Sequence, residues 1–90
     1  MEEAVKRILS GEFEVEVDDV GTLQRELERL GIKAYIVEYN EAYKTPFLST
    51  IASLLDEHMV KCAVEFARAR GVSLHLIRAP SGLYLLLIPL

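Results

Sequence analysis

The sequence predicts an α/β chain built as an α+β two-layer sandwich. The expected core order is β-α-β-α-β-β, with an extra N-terminal helix and a four-stranded mixed sheet that ends in an antiparallel hairpin. Three observations predict it. Hydrophobic residues switch along the chain between a period of two and a helical period. Glycines stand where those patterns stop, at Gly11, Gly31 and Gly71. The last eight residues, LYLLLIPL, carry no charge and have the length of one strand, far short of the roughly 20 residues a membrane-spanning helix needs. With 90 residues, the chain is expected to form a single domain over 1–90.

The elements follow in order. Ala4, Val5, Ile8 and Leu9 share one helical face, Glu2 and Glu3 lie in the first turn where the helix dipole favours anions, and Ser10-Gly11 ends the helix. Residues 12–18, EFEVEVD, alternate strictly, so Phe13, Val15 and Val17 face inward and four acids face water. That one wet face predicts two layers, with both main helices on the same side of the sheet. Val20, Leu23, Leu27 and Leu30 take helical spacing, with Asp19 or Thr22 as the cap and Gly31 as the stop. Residues 32–39, IKAYIVEY, are apolar on both faces and predict an interior strand.

Residues 40–45 read as a loop. Thr45-Pro46 then reads as an N-cap followed by proline in the first helical position. No glycine or proline follows until Gly71, and an unbroken helix over 46–70 would be about 37 Å long, so it either breaks near 56–58 or projects. Its apolar stripe is read as Phe47, Leu48, Ile51, Leu55, Met59, Cys62 and Phe66, which puts His58 and Cys62 in the core. Val72–Ala79 is a strand, Pro80-Ser81-Gly82 a tight turn, and Leu83–Ile88 the returning strand.

Composition narrows the function. Hydrophobic residues make up 51% of the chain, more than a thin core of this size absorbs, so self-association or a protein partner is expected. The surface expected to do this comprises Val72, Leu74, Leu76, Arg78, Leu83, Tyr84, Leu85, Leu86, Leu87 and Ile88, with Arg78 and Tyr84 as rim or anchor residues. A net charge of −4 argues against broad phosphate-backbone binding. The single cysteine forms no internal disulfide, which fits a reducing, cytoplasmic setting. The acidic N-terminus is not a signal peptide, and no membrane association is expected. Few amides (Gln24, Asn40) and abundant Glu and Arg give a thermophile-like composition.

The core element order is similar to that of the C-terminal domain of translation initiation factor three, the sulfur carriers of the TusA/SirA family and the archaeal chromatin protein Alba. The sulfur carriers' Cys-Pro pair is absent, because Cys62 lies within a helix, and so is the basic charge of the chromatin protein. The similarity therefore implies a fold and no activity. Residues 15–82 also resemble the small kinase-regulating subunit of the KEOPS tRNA-modification complex. The resemblance rests on VEVDD, GIKAYIVEYN, the long helix and GVSLHLIRAPSG, in which Ser81-Gly82 match that family's strand followed by Ser-Gly. It implies a non-catalytic partner protein that touches tRNA. The elements which that family places further on are not in this sequence.

Candidate chemistry is sparse. Sites in such sheets form beyond the carboxyl ends of parallel strands. That edge is expected to gather Asp18, Asp19, Glu38, Asn40, Glu41, Tyr43, Lys44 and Ser81, with Arg78 beside them. Oxygen donors there suit Mg²⁺, with Asp18 or Asp19 as ligand or base, and ordinary polar loops explain the same residues. His58 and Cys62, four apart on a helix, would need two more ligands to hold zinc. His75 is read as an ordinary half-buried strand residue beside Ser73, Ile77 and Ala79. Lys33, Lys44, Arg68, Arg70 and Arg78 with Tyr35, Tyr39 and Tyr43 would suit single-stranded RNA if they converged. No phosphate loop, hydrolase triad or zinc quartet is present, so neither a cofactor nor a metal is expected. The leading reading is a non-catalytic assembly subunit, self-associating or bound to a protein. A nucleic-acid or tRNA-modification accessory module stands second, and a small Mg²⁺-dependent enzyme third.

Overall fold

A computed structural model describes the backbone of residues 1–51 and 57–90 and the side chains of residues 1–49 and 57–90. The elements are α1 (Glu2–Leu9), β1 (Glu14–Glu16), α2 (Val20–Arg29), β2 (Tyr35–Glu38), α3 (Tyr39–Ala42), α4 (Pro46–Ile51), α5 (Glu57–Arg68), β3 (Val72–Ala79) and β4 (Gly82–Pro89). The fold class is the expected one: a mixed α+β chain with a four-stranded sheet closed by a C-terminal antiparallel hairpin. The sheet order is β1-β3-β4-β2. β1 runs parallel to β3, and β4 runs antiparallel to both β3 and β2.

The order explains where the helices go. The connection from β1 to β2 crosses the whole sheet, and the connection from β2 to β3 comes back. Two crossovers of the same hand that travel in opposite directions must use opposite faces. Accordingly α1 and α2 pack against Val15, Val17, Ile77 and Leu86, while α3, α4 and α5 pack against Leu74, Leu76, Leu85 and Leu87. The expectation that both main helices share one face is thus corrected. The wet face of β1 is real, but it arises at the sheet's rim: Glu14 and Glu16 are exposed, and Glu14 pairs with Arg78 on β3.

Three further expectations change. β2 is an edge strand, not an interior one; its residues are apolar on both sides because helices cover both sides of the sheet. Residues 39–42, expected at the strand end and in the loop, form one helical turn, α3. In α5 the inward stripe is Ala63 and Ala67, with Val60, Val64 and Phe66 half-buried, whereas Met59 and Cys62 are exposed. Small alanines let the helix approach β3 closely, and the larger residues that suggested a different stripe point outward. Continuity of the helix between α4 and α5, like Leu55 of the expected stripe, lies outside the described residues; the side chain of Ile51 does too.

The turn chemistry follows the sequence. Pro80 and Ser81 form the hairpin loop, and among the described residues no non-glycine has positive φ, so Gly82 at φ 139° absorbs the mismatch with strand twist. Asp19 caps α2, accepting from the Thr22 amide at 2.9 Å and the Thr22 hydroxyl at 2.8 Å. Those hydrogen bonds hold its carboxyl below the ordinary 3.8. Asp19→Ala is expected to lower the thermal midpoint while Asp18→Ala leaves it unchanged, read by circular dichroism melts. Equal effects would remove the cap assignment. The stabilisation is present above the ordinary carboxyl value and is lost as pH falls through the lower native one.

A candidate docking edge beside an apolar groove

Half of the surface expected to mediate assembly lies inside the chain. β3 and β4 are the two central strands, and Leu74, Leu76, Leu85, Leu86 and Leu87 are all buried. Both faces of the tail are covered by the chain's own helices, so those five leucines make core rather than docking surface. Val72, Tyr84 and Ile88 are half-buried, and Arg78 and Leu83 are exposed.

The strand-end residues do not come together either. β1 and β2 are opposite edges of the sheet, three strand spacings or about 14 Å apart. Asp18 joins Glu16, Arg78, Glu3 and Arg7 around a groove of about 550 Å³ at the β1/β3 end, while Asp19 is committed to its cap. At the β2 end, Glu41 pairs with Lys44 at 2.9 Å, and the Tyr43 hydroxyl donates to that of Tyr39 at 3.3 Å, with the rings edge to face. That hydrogen bond raises the Tyr43 phenol above its ordinary value. Glu38 and Asn40 are exposed there. Ser81 sits in the hairpin turn, 2.7 Å from the Tyr84 hydroxyl. Among the described residues no group of three acidic, histidine or cysteine side chains is placed to hold a metal ion.

The cations divide as well. Lys33 stands 5.7 Å from the Tyr35 ring, Arg70 stacks 3.5 Å over Phe66, Arg78 binds Glu14 and Lys44 binds Glu41. No single stripe collects them.

What the fold does assemble is a second groove, of about 440 Å³, on the face of α3–α5. Among the described residues it is lined by Tyr35 and Val37 of β2, Phe47 and Leu48 of α4, Val72 of β3 and Leu87 of β4, with Pro89, Thr45 and Arg70 completing it. Phe47 and Phe66 stack at 5.7 Å beside it, and Arg70 is fixed over Phe66 with a hydrogen bond of 3.2 Å to the Phe66 carbonyl. The groove abuts the side of β2 that pairs with no other strand among the described residues. Tyr35 is 51% exposed there, and Tyr35–Glu38 holds neither a proline nor a lysine, with Glu38 at its end as its one charged residue. Sequence reasoning named Val72 and Leu87 for assembly and Tyr35 and Arg70 for RNA, but did not bring them together with Val37, Phe47, Leu48 and Pro89, because the groove depends on strand order.

No family model, no curated protein and no solved structure matches the chain.

Proposed function

We propose that this protein is a small non-catalytic assembly subunit that pairs with a second copy of itself through the β2 edge. The observation that carries the reading is the edge strand with an exposed Tyr35 set against an apolar groove. Antiparallel pairing about a two-fold axis must place residues of the same face opposite each other. Centring it on Ile36 sets Tyr35 against Val37 of the other copy, joins the two grooves and gives a continuous eight-stranded sheet. The outer backbone groups of β2, which pair with no strand among the described residues, gain partners, which is the driving force of strand addition.

The test is absolute mass in solution by size exclusion with light scattering at micromolar concentration. The wild-type chain is expected at twice its formula mass, and Tyr35→Glu at the monomer mass with an unchanged circular dichroism spectrum. A monomeric wild type, or a dimer that persists in Tyr35→Glu, overturns the proposal.

A second reading draws on Lys33 beside Tyr35, with Arg70 in the same groove. An aromatic face flanked by cations suits a stacked base. It predicts binding of single-stranded RNA that weakens steeply with salt and is lost in Tyr35→Ala.

A further inference from the structure

Among the described residues, the groove on the α3–α5 face is lined by one charged side chain, and it is a cation, Arg70. In the sheet Tyr35 lies beside Leu87 and Val72 beside Pro89, so the apolar floor crosses β2, β4 and β3, roughly 10 Å at the ordinary strand spacing. Arg70 leads into β3 at the Val72 end of that floor. Its guanidinium is held in place, 3.5 Å over the Phe66 ring, with Nη1 donating to the Phe66 carbonyl at 3.2 Å. That leaves the Nε–Nη2 edge of the fork, which is the edge that takes a carboxylate side-on with two parallel hydrogen bonds. No acidic side chain of the described residues pairs with Arg70. The groove at the β1/β3 end is different: its Arg7 already faces Glu3 and Glu12, and its Arg78 is bound to Glu14.

We propose that this groove binds an unbranched medium-chain carboxylate, its alkyl chain along the floor and its head on Arg70. Charge complementarity carries the choice: an apolar floor with a single unpaired cation at its end matches an apolar body with a single anionic head. The chain gains by leaving water, and the head meets a guanidinium that stacking has already oriented. At about 440 Å³ the groove falls within the roughly 300–1,000 Å³ of small-molecule sites. A nucleobase fits the same floor less well, because its ring nitrogens and carbonyl oxygens would lie against Val37, Leu48 and Leu87 without hydrogen-bond partners. The site uses the floor and Arg70 rather than the outer backbone of β2, so it does not rest on the dimer proposed above.

The test titrates the full chain with decanoate, below its micelle concentration, by calorimetry and by amide chemical shifts. One decanoate is expected per chain, with the largest shifts at Tyr35, Val37, Val72 and Leu87. Octanoate is expected to bind about tenfold more weakly, a little under the two factors of about fourfold that two fully buried methylenes give. Decanol is expected to bind about tenfold more weakly than decanoate, for want of the charged hydrogen bonds to Arg70. Arg70→Gln is expected to abolish the advantage of decanoate over decanol while leaving decanol binding and the circular dichroism spectrum unchanged. Absence of decanoate binding, equal affinity for decanoate and decanol in the wild type, or shifts centred away from the groove would each overturn the proposal. Binding of oligouridylate without binding of decanoate would also overturn it, and would leave the groove to the stacked-base reading.

Discussion

Leu85→Ala and Leu86→Ala are each expected to cost about 2–5 kcal/mol of unfolding free energy, a large share of the roughly 5–15 kcal/mol that holds a domain together. Both side chains are fully buried, yet they belong to different cores. Leu85 points with Leu87 toward the α3–α5 layer, and Leu86 points with Ile77 toward α1 and α2. Successive strand residues face opposite ways, so a near-equal cost at adjacent positions is the signature of a sheet covered on both sides. Urea unfolding of the two single variants and the double variant measures this. If either substitution costs less than about 0.5 kcal/mol, as surface changes do, the face it reports on is open and the helix placement fails. The losses in the double variant are expected to add to within about 0.5 kcal/mol only insofar as the two cores are energetically separate. A large coupling term would mean that the helices of one face lean on those of the other through the backbone of β4.

These two residues also show what the sequence could and could not reveal. The apolar run at the end of the chain was legible as a buried strand, and so was its hairpin with Val72–Ala79, because a short turn forces neighbouring strands together. The source of its cover was not legible. An apolar excess can be absorbed by a partner or by helices on a second face, and the choice depends on strand order. Order β1-β3-β4-β2 sends the two crossovers over opposite faces and supplies the second layer of helices. The same order separates Asp18 from Glu38 and dissolves the polar edge, since residues at the ends of parallel strands converge only when those strands are neighbours. The face of α5 was misread for a different reason. Cys62 and Met59 outrank Ala63 and Ala67 in hydrophobicity, but closeness of packing against β3 favours the smaller side chains, and periodicity alone did not separate the two stripes. Asp19 stood in the sequence as one of two alternatives for the cap, and Gly31 was read as the stop, because capping chemistry is local and does not depend on order.

His75 is where the fold departs most from a plain hydrophobic core, and substituting it is expected to have the second large effect. Its ring is buried on β3, 1% exposed, with Nδ1 at 2.6 Å from the Glu12 carbonyl and Nε2 at 2.8 Å from the Ser73 hydroxyl. The carbonyl can only accept, so Nδ1 carries the proton of the neutral ring and Nε2 accepts from Ser73. The imidazole thereby ties β3 to the segment that leads into β1, the shortest strand of the sheet. His75→Leu leaves the Glu12 carbonyl and the Ser73 hydroxyl without that partner, at about 1–3 kcal/mol. Burial also holds the imidazole below its ordinary 6.5. Above that value the ring is neutral whether the chain is folded or not, and the full stabilisation is present. As pH falls through 6.5 the unfolded chain takes up a proton that the folded chain refuses until its own lower value, so stability declines across that window. Unfolding free energies measured by urea at about pH 7.5 and about pH 5 are expected to fall more steeply for the wild type than for His75→Leu, because the variant has lost the group that titrates. Parallel slopes would mean that His75 is protonated as readily inside the fold as outside it. The neutral tautomer, and with it the tie between β3 and the entry to β1, would then be wrong.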